Sequence, residues 1–303
     1  MSVICLPDAD AVELVGALPD GVEVVTWGGR GAPPDDVEFW VPTYMFADAS
    51  RRDAAFAAMP KLRVIQLVSA GAEVWVGHVP PGVLLCDGRG VHGGSTAEWA
   101  LAAILSVLRE FPRFVRAQEA HRWDPVTADE LAGKRVLIIG AGDLGENVAS
   151  RLRAFDAAPT LVARRARDGV RGVAELPQLL PSADIVVLVV PLTGETQGMV
   201  GAAFLASMAD GALLVNAARG PVVVTDALVA ELSSGRLRAA LDVTDPEPPP
   251  TDHPLWTVPN LLLTPHVGGR VVGFPARAFR LVREQVLRYV AGEPLMNVVT
   301  NGY

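Results

Sequence analysis

The sequence predicts an α/β protein of two doubly wound parallel-sheet domains, and three observations predict it. First, the apolar run Val136-Leu137-Ile138-Ile139 meets Gly140-Ala141-Gly142-Asp143-Leu144-Gly145, and a helical pattern follows. Second, several runs, among them 185–190, are apolar throughout, as parallel strands covered on both faces should be. Third, strand and helix patterns alternate both before and after the glycine motif, and 303 residues suffice for roughly two domains.

The glycine motif has the order a dinucleotide-binding turn needs: buried strand, tight turn, helix start. Gly140 permits the turn, Gly142 lets backbone approach a pyrophosphate, and Gly145 lets helix and strand pack closely. The free N–H groups and dipole at the helix start favour phosphate charge there.

In the first part, residues 3–6, 22–27, 37–41, 62–68 and 83–86 read as strands, with helices near 10–17 and 51–59. Turn residues such as Pro19-Asp20-Gly21 and Pro33-Pro34-Asp35 punctuate them. A long helix is expected from Ser95 to about Arg116, with Ser95-Thr96-Ala97-Glu98 as a capping box. Beyond the glycine turn, Leu144, Val148 and Leu152 share a helix face. Strands are expected at 160–163, 185–190, 213–216, 239–243 and 261–264, with helices at 225–234 and 274–291. The last helix can carry the chain back to the first domain. The Pro-rich stretch 246–254 reads as a loop, because a strand pattern resumes after it.

Composition narrows the function classes. A net charge of −8 argues against a nucleic-acid or anionic-membrane surface. The start lacks a basic segment and a long apolar stretch, and no run approaches a membrane span, so a cytoplasmic protein is expected. Cys5 and Cys86 read as small buried hydrophobes rather than a disulfide. His78, His121 and His253 have no companions at metal-ligand spacing, so no metal is expected. Trp123 and Trp256 read as packing or interface residues, and His92 as a cleft or surface histidine. Tyr44 and Met45 either line a pocket or pack in the core.

The ends of the late strands carry reactive side chains. Arg219 follows one strand in Asn216-Ala217-Ala218-Arg219-Gly220, Asp242 and Glu247 follow the next, and His266 follows the last. Ligands of open α/β sheets bind beyond the carboxyl ends of the strands, so these residues can converge. Their chemistry fits 2-keto acid reduction or 2-hydroxy acid oxidation. Arg219 can grip a carboxylate with its planar fork. His266 can exchange a proton with the substrate oxygen. Glu247 can hydrogen-bond the imidazole and fix its orientation.

These motifs resemble the D-isomer-specific 2-hydroxyacid dehydrogenase family. The resemblance rests on the glycine turn, VVPLTGET at 189–196, NAARG at 216–220, LDVTDPEP at 241–248 and PNLLLTPHVGG at 259–269. It implies a Rossmann cofactor domain at 95–272 inserted into a flavodoxin-like substrate domain at 1–94 and 273–303, and a homodimer through the helix near 95–120. It further implies Arg219, Glu247 and His266 as the catalytic residues. The coenzyme would meet Gly140, Gly142, Asp143, Leu144, Gly145, Pro191, Thr196, Ala217, His266 and Gly268, with Asp242 at the nicotinamide end. The backbone of Ser69, Ala70 and Gly71, together with Arg219 and His266, would meet the substrate.

Two departures from the family pattern stand out. Thr244 occupies a position where the family often has Phe. The acid that usually binds the ribose hydroxyls of NAD is missing: Leu161-Val162-Ala163 runs into Arg164 and Arg165. Arginines there accommodate a 2′-phosphate, so NADP(H) is the expected coenzyme and NAD(H) a possible one, unless both arginines are simply solvated. Glyoxylate and hydroxypyruvate are the first expected substrates by resemblance. A phosphoglycerate dehydrogenase is expected less, because little chain follows the last helix, and a formate dehydrogenase less, because Glu247 stands where glutamine is implied. A coenzyme-sensing protein of the same fold, without turnover, is the alternative.

Overall fold

The computed structural model describes residues 1–44, 46 and 48–300, so Met45 lies outside the described residues. The chain divides into two compact units, Met1–His92 with Val272–Tyr303, and Gly93–Val271.

The first unit begins with β1 (Ser2–Leu6), α1 (Ala9–Val15), β2 (Val22–Thr26), β3 (Phe39–Trp40), α2 (Ala49–Ala58), β4 (Val64–Gln66) and β5 (Leu84–Cys86). Its five strands are parallel, in the order β2-β1-β3-β4-β5. Asp8 and Asp48 cap α1 and α2 by accepting from Ala11 N at 2.8 Å and Arg51 N at 2.9 Å.

The second unit contains α3 (Gly93–Leu108), α4 (Phe111–Glu119), β6 (Arg135–Ile139), α5 (Asp143–Arg153), β7 (Ala158–Ala163), β8 (Val170–Gly172), α6 (Leu176–Leu179), β9 (Ile185–Leu188), α7 (Ala202–Ala206), β10 (Leu213–Asn216), α8 (Thr225–Ser233), β11 (Arg238–Leu241) and β12 (Leu261–Leu263). Its seven parallel strands run β12-β11-β10-β9-β6-β7-β8. Strand order reverses between β6 and β9, which opens a crevice beyond their carboxyl ends. The chain then returns to the first unit in α9 (Phe274–Ala291).

Alternate residues of each strand serve opposite faces, as a period of two requires. In the second sheet Leu137, Ile139, Val186, Leu188 and Leu214 pack with Leu205, Leu228 and Leu232 of α7 and α8. Val136, Ile138, Ile185, Val187 and Val215 pack on the other face with Ala97, Ile104, Val148 and Leu152 of α3 and α5. In the first sheet Ile4, Leu6, Phe39 and Val64 meet α1 and α9. Val3, Cys5, Trp40 and Ile65 meet Ala55 of α2 and the rings of Trp27, Phe46 and Trp75. The central strands of both sheets are therefore covered on both faces, which is why runs such as 3–6, 136–139 and 185–188 are apolar throughout.

α9 is fixed to its sheet by a buried amide pair. Gln285 Nε2 donates to Gln66 Oε1 at 2.7 Å and to Met296 O at 2.8 Å, while Gln285 Oε1 accepts from Met296 N at 2.8 Å. Orphaning one such buried group costs about 1–3 kcal/mol. Cys5 and Cys86 are buried free thiols, and burial pushes both up to about 12.

Two expectations are corrected here. The single helix expected from 95 to about 116 is two helices, broken where Glu110 takes a left-handed φ of 58°. Pro112 explains the break: it lacks an N–H, and its ring collides with the preceding turn of a continuous helix. The Ser95 capping box does not form at a helix start either, because α3 already begins at Gly93. A Cβ at Gly93 would lie 1.9 Å from Asp143 Oδ2, so glycine lets the start of α3 approach α5. The short elements β8, α6 and α7 escape a reading by periodicity, being three to five residues long. Among the described residues, no helix is long and apolar enough to cross a membrane.

Candidate active site

The glycine turn follows β6 directly. Gly140 has a φ of +120°, and a Cβ on it would lie 2.5 Å from Val189 O. A Cβ on Gly145 would lie 1.9 Å from Gly140 O. Both glycines are therefore required by close packing. Gly142 differs, since a Cβ on it would meet nothing within 4 Å. Its backbone faces open space at the N-cap of α5, followed by Asp143 and Leu144 in the first turn. Exposed backbone and a helix start of eleven residues suit the pyrophosphate of a dinucleotide.

Beside it, β7 ends at Ala163, and Arg164, Arg165 and Arg167 follow as exposed residues. Arg164 Nη1 lies 3.7 Å from Glu195 Oε2. Arg167 was missed by sequence reasoning, yet its Nη2 donates to Ala141 O of the glycine turn at 2.7 Å. The signal was the third arginine in Arg164-Arg165-Ala166-Arg167. Across the order reversal, the loop after β9 is closed by Thr196, whose Oγ1 donates to Pro191 O at 2.6 Å.

Three further loops leave β10, β11 and β12. Asn216 shapes the first: its Oδ1 accepts from Ala218 N at 3.0 Å and its Nδ2 donates to Arg219 O at 3.1 Å. Ala217 N meanwhile donates to Leu188 O at 3.1 Å. Arg219 is extended and half-buried, with Nη1 donating to Ala218 O at 2.8 Å. Gly220 is held against the second loop, since a Cβ there would lie 1.8 Å from Thr244 O. Asn216 was also missed as a shaping residue; an Asn opening a turn at a strand end was its signal.

The third loop wraps around Asp242. His266 N donates to Asp242 O at 2.7 Å. Val267 N donates to Asp242 Oδ1 at 2.9 Å, and Gly268 N to Oδ2 at 2.8 Å. Thr264 Oγ1 donates to Oδ1 at 2.6 Å and accepts from Trp99 Nε1 at 3.0 Å. Asp242 is buried, so its carboxylate is committed to this loop. Three loop partners thus hold this carboxylate, the acid that the family resemblance places at the nicotinamide end of the coenzyme. Gly268 is required because a Cβ would lie 2.9 Å from Asp242 Oδ2.

The wrapping sets His266 at a φ of +53°, a left-handed conformation few non-glycine residues adopt. From there His266 Nδ1 meets Glu247 Oε1 at 2.7 Å. The two side chains are 43% and 41% exposed, so the pair is open to a ligand. Nε2 is left as the nitrogen that Glu247 does not engage. An imidazole oriented by a carboxylate is a proton donor and acceptor fixed in direction.

The expected substrate residues Ser69, Ala70 and Gly71 follow β4 in the first unit. Ser69 O accepts from Gly88 N at 2.7 Å, and Ser69 Oγ donates to Gly71 O at 3.2 Å. In the same unit His92 stacks on Phe274 with centroids 4.8 Å apart, and the ring of Tyr44 lies 5.5 Å from that of Phe274. His92 is thus part of an aromatic cluster, not a bare surface histidine. Trp123 is 97% exposed and does not pack in the core.

Comparison with known proteins adds the following. A family model described as D-isomer specific 2-hydroxyacid dehydrogenase, NAD binding domain, matches residues 101–268. The chain is 33% identical to a D-3-phosphoglycerate dehydrogenase of Mycobacterium tuberculosis over its whole length, but spans only 59% of that relative. It is 30% identical to glyoxylate/hydroxypyruvate reductase A of Serratia proteamaculans, over 89% of this chain and 88% of the relative. A crystal structure of a D-isomer specific 2-hydroxyacid dehydrogenase from Xanthobacter autotrophicus, in complex with NADPH and MES, is 30% identical, with a TM-score of 0.84 over 99% of this chain and 98% of that one.

Proposed function

We propose that this chain, which belongs to the D-isomer specific 2-hydroxyacid dehydrogenase family, is a cytosolic, homodimeric reductase of small 2-keto acids that prefers NADP(H). The carrying observation is the 2.7 Å pair of His266 and Glu247 beyond the carboxyl ends of a dinucleotide-type sheet. The open backbone at Gly142 and the tight glycines around it fit a pyrophosphate. Gly140, Gly142, Asp143, Leu144, Gly145, Pro191, Thr196, Ala217 and Gly268 are the residues that would hold the coenzyme.

When bound, the reduced nicotinamide supplies the hydride that the keto carbon gains. His266 supplies the proton to the substrate oxygen from Nε2, while Glu247 at Nδ1 keeps the ring in register. Arg219 holds the substrate carboxylate with its fork and polarises the carbonyl. Glyoxylate and hydroxypyruvate are its first substrates, in line with the name of the Serratia relative.

Preference for NADP(H) rests on the charge around β7. The strand ends in Ala163 rather than an acid, and Arg164, Arg165 and Arg167 follow. The ion pair of Arg164 with Glu195 spans 3.7 Å between side chains 64% and 71% exposed. Such a pair is worth little, so a 2′-phosphate can displace Glu195. The Xanthobacter structure, similar over its whole length, contains NADPH. Loss of reduced-nicotinamide absorbance with both coenzymes, against keto acids from glyoxylate to phenylpyruvate, tests the reading. Turnover that is faster with NADPH supports it. Tight NADPH binding without turnover of any acid would replace it by a coenzyme-sensing role. In Arg164→Ala, kcat/KM with NADPH falls about ten- to hundred-fold, the worth of a charge-assisted contact, and kcat/KM with NADH stays within about two-fold. An equal loss with both coenzymes would contradict the phosphate role.

The dimer rests on α4 and the segment after it. Phe111 and Val115, one turn apart, are 53% and 54% exposed, and Trp123 is 97% exposed. An exposed apolar pair on one helix face, followed by an exposed tryptophan, supports an interface in this reading. Light scattering will return twice the chain mass, and Trp123→Asp will shift it toward the monomer. A monomeric mass for the unaltered protein refutes this part.

A further inference from the structure

We propose that Thr225 and Thr244 are positioning residues that set Glu247 against His266 by clamping the two carbonyls just ahead of Glu247. The inference rests on the dyad role given above. Glu247 lies in Thr244-Asp245-Pro246-Glu247-Pro248-Pro249-Pro250. Proline carries no N–H, so across 245–250 only Asp245 and Glu247 have a backbone donor. The segment therefore cannot be tied down as a strand or helix is, and its carbonyls are the handles that remain.

Two hydroxyls take those handles. Thr225 Oγ1, at the start of α8, donates to Asp245 O at 2.7 Å. Thr244 Oγ1 donates to Pro246 O at 2.8 Å. Thr244 is buried and its own carbonyl is pressed against Gly220, so this end of the clamp is anchored. The Glu247 side chain is 41% exposed, and burial does not hold it.

Behind Glu247 the chain is next held at Pro250 O, which accepts from Trp256 Nε1 at 2.7 Å and His253 N at 3.0 Å; ahead of it the two hydroxyl bonds hold the chain, from residues that touch neither substrate nor coenzyme in the proposed mechanism. The clamp sets the 2.7 Å contact at Nδ1 and thereby the direction in which Nε2 points.

The test is the double variant Thr225→Val, Thr244→Val, which keeps side-chain shape and removes both hydroxyls, with Thr225→Ser, Thr244→Ser as the rescue. Proton NMR of the His266 ring in coenzyme-free protein reads the dyad without catalysis. The expected result is a titration of His266 in the valine variant that moves toward that of Glu247→Gln. With it, kcat falls about ten-fold while substrate KM stays within about two-fold, and the serine variant recovers both. An unchanged His266 titration overturns the proposal. So does a loss confined to thermal stability, and so does failure of the serine variant to recover the titration. If the unaltered protein turns over no keto acid, the dyad's catalytic role falls, while the titration still decides whether the hydroxyls position Glu247.

Discussion

His266→Ala will lower kcat about a thousand-fold with any accepted keto acid and leave the affinity for NADPH within about two-fold. Positioned proton transfer contributes roughly 10²- to 10⁴-fold, and here one imidazole carries it. Its Nδ1 is held by Glu247 at 2.7 Å, its N–H by Asp242 O, and its backbone lies at a φ of +53°. Geometry this constrained places the ring in advance of any ligand. The alanine variant also removes a residue type that tolerates the left-handed region better than alanine does. His266→Asn separates the two effects, since Asn tolerates that backbone and has no acid to offer. Both variants will lose hydride-transfer rate in single-turnover absorbance traces and keep NADPH binding in fluorescence titration. If His266→Asn retains most of the turnover, proton donation belongs to another group. Glu247→Gln keeps a hydrogen-bonding group and loses the charge, so its loss is smaller, about ten-fold.

What the sequence carried was whatever is local or periodic. Gly140 and Gly145 answer to constraints within a few residues or one strand away, and the structure reproduces those constraints as contacts. β10 runs over 213–216 and α9 over 274–291, as expected, because long apolar runs and a clear helical face leave little choice. The five-strand and seven-strand parallel sheets follow from strands buried on both faces. Pro112 was equally local, and its break of the long helix was readable from the rule that proline excludes a helix interior.

Other features are not local, and no spacing announces them. Thr225 and Asp245 lie twenty positions apart, and Thr264 and Asp242 twenty-two, on loops leaving different strands. A hydroxyl bonded across two loops has no period. Asp242 illustrates the limit: sequence pattern places an acid at the end of β11, but only the fold says which way its carboxylate turns. Arg167 is similar, because three arginines near one strand end are alike in sequence and differ in reach.

That turned carboxylate gives the second large effect. Asp242→Asn will lower the thermal midpoint by roughly 5–10 °C and reduce kcat about a hundred-fold, because both oxygens of the carboxylate are occupied. Oδ1 accepts from Thr264 and Val267, and Oδ2 from Gly268. An amide must put its NH₂ where one oxygen stood, and flipping it only moves the collision from one donor to the other. One buried N–H then faces a donor, at a cost of about 2–3 kcal/mol, in the loop that sets the backbone of His266. Stability and turnover therefore fall together, unlike His266→Asn, where turnover falls alone. Thr264→Val gives a graded comparison, since it removes one of the three bonds to the carboxylate, together with the acceptor of the half-buried Trp99 Nε1, and leaves both backbone N–H partners of Asp242 satisfied. Its midpoint will fall less than that of Asp242→Asn, and its NADPH affinity will hold. Should Asp242→Asn unfold at the midpoint of the unaltered protein, the carboxylate does not anchor the loop. A large rise in the Kd for NADPH at an unchanged midpoint would return Asp242 to direct contact with the coenzyme.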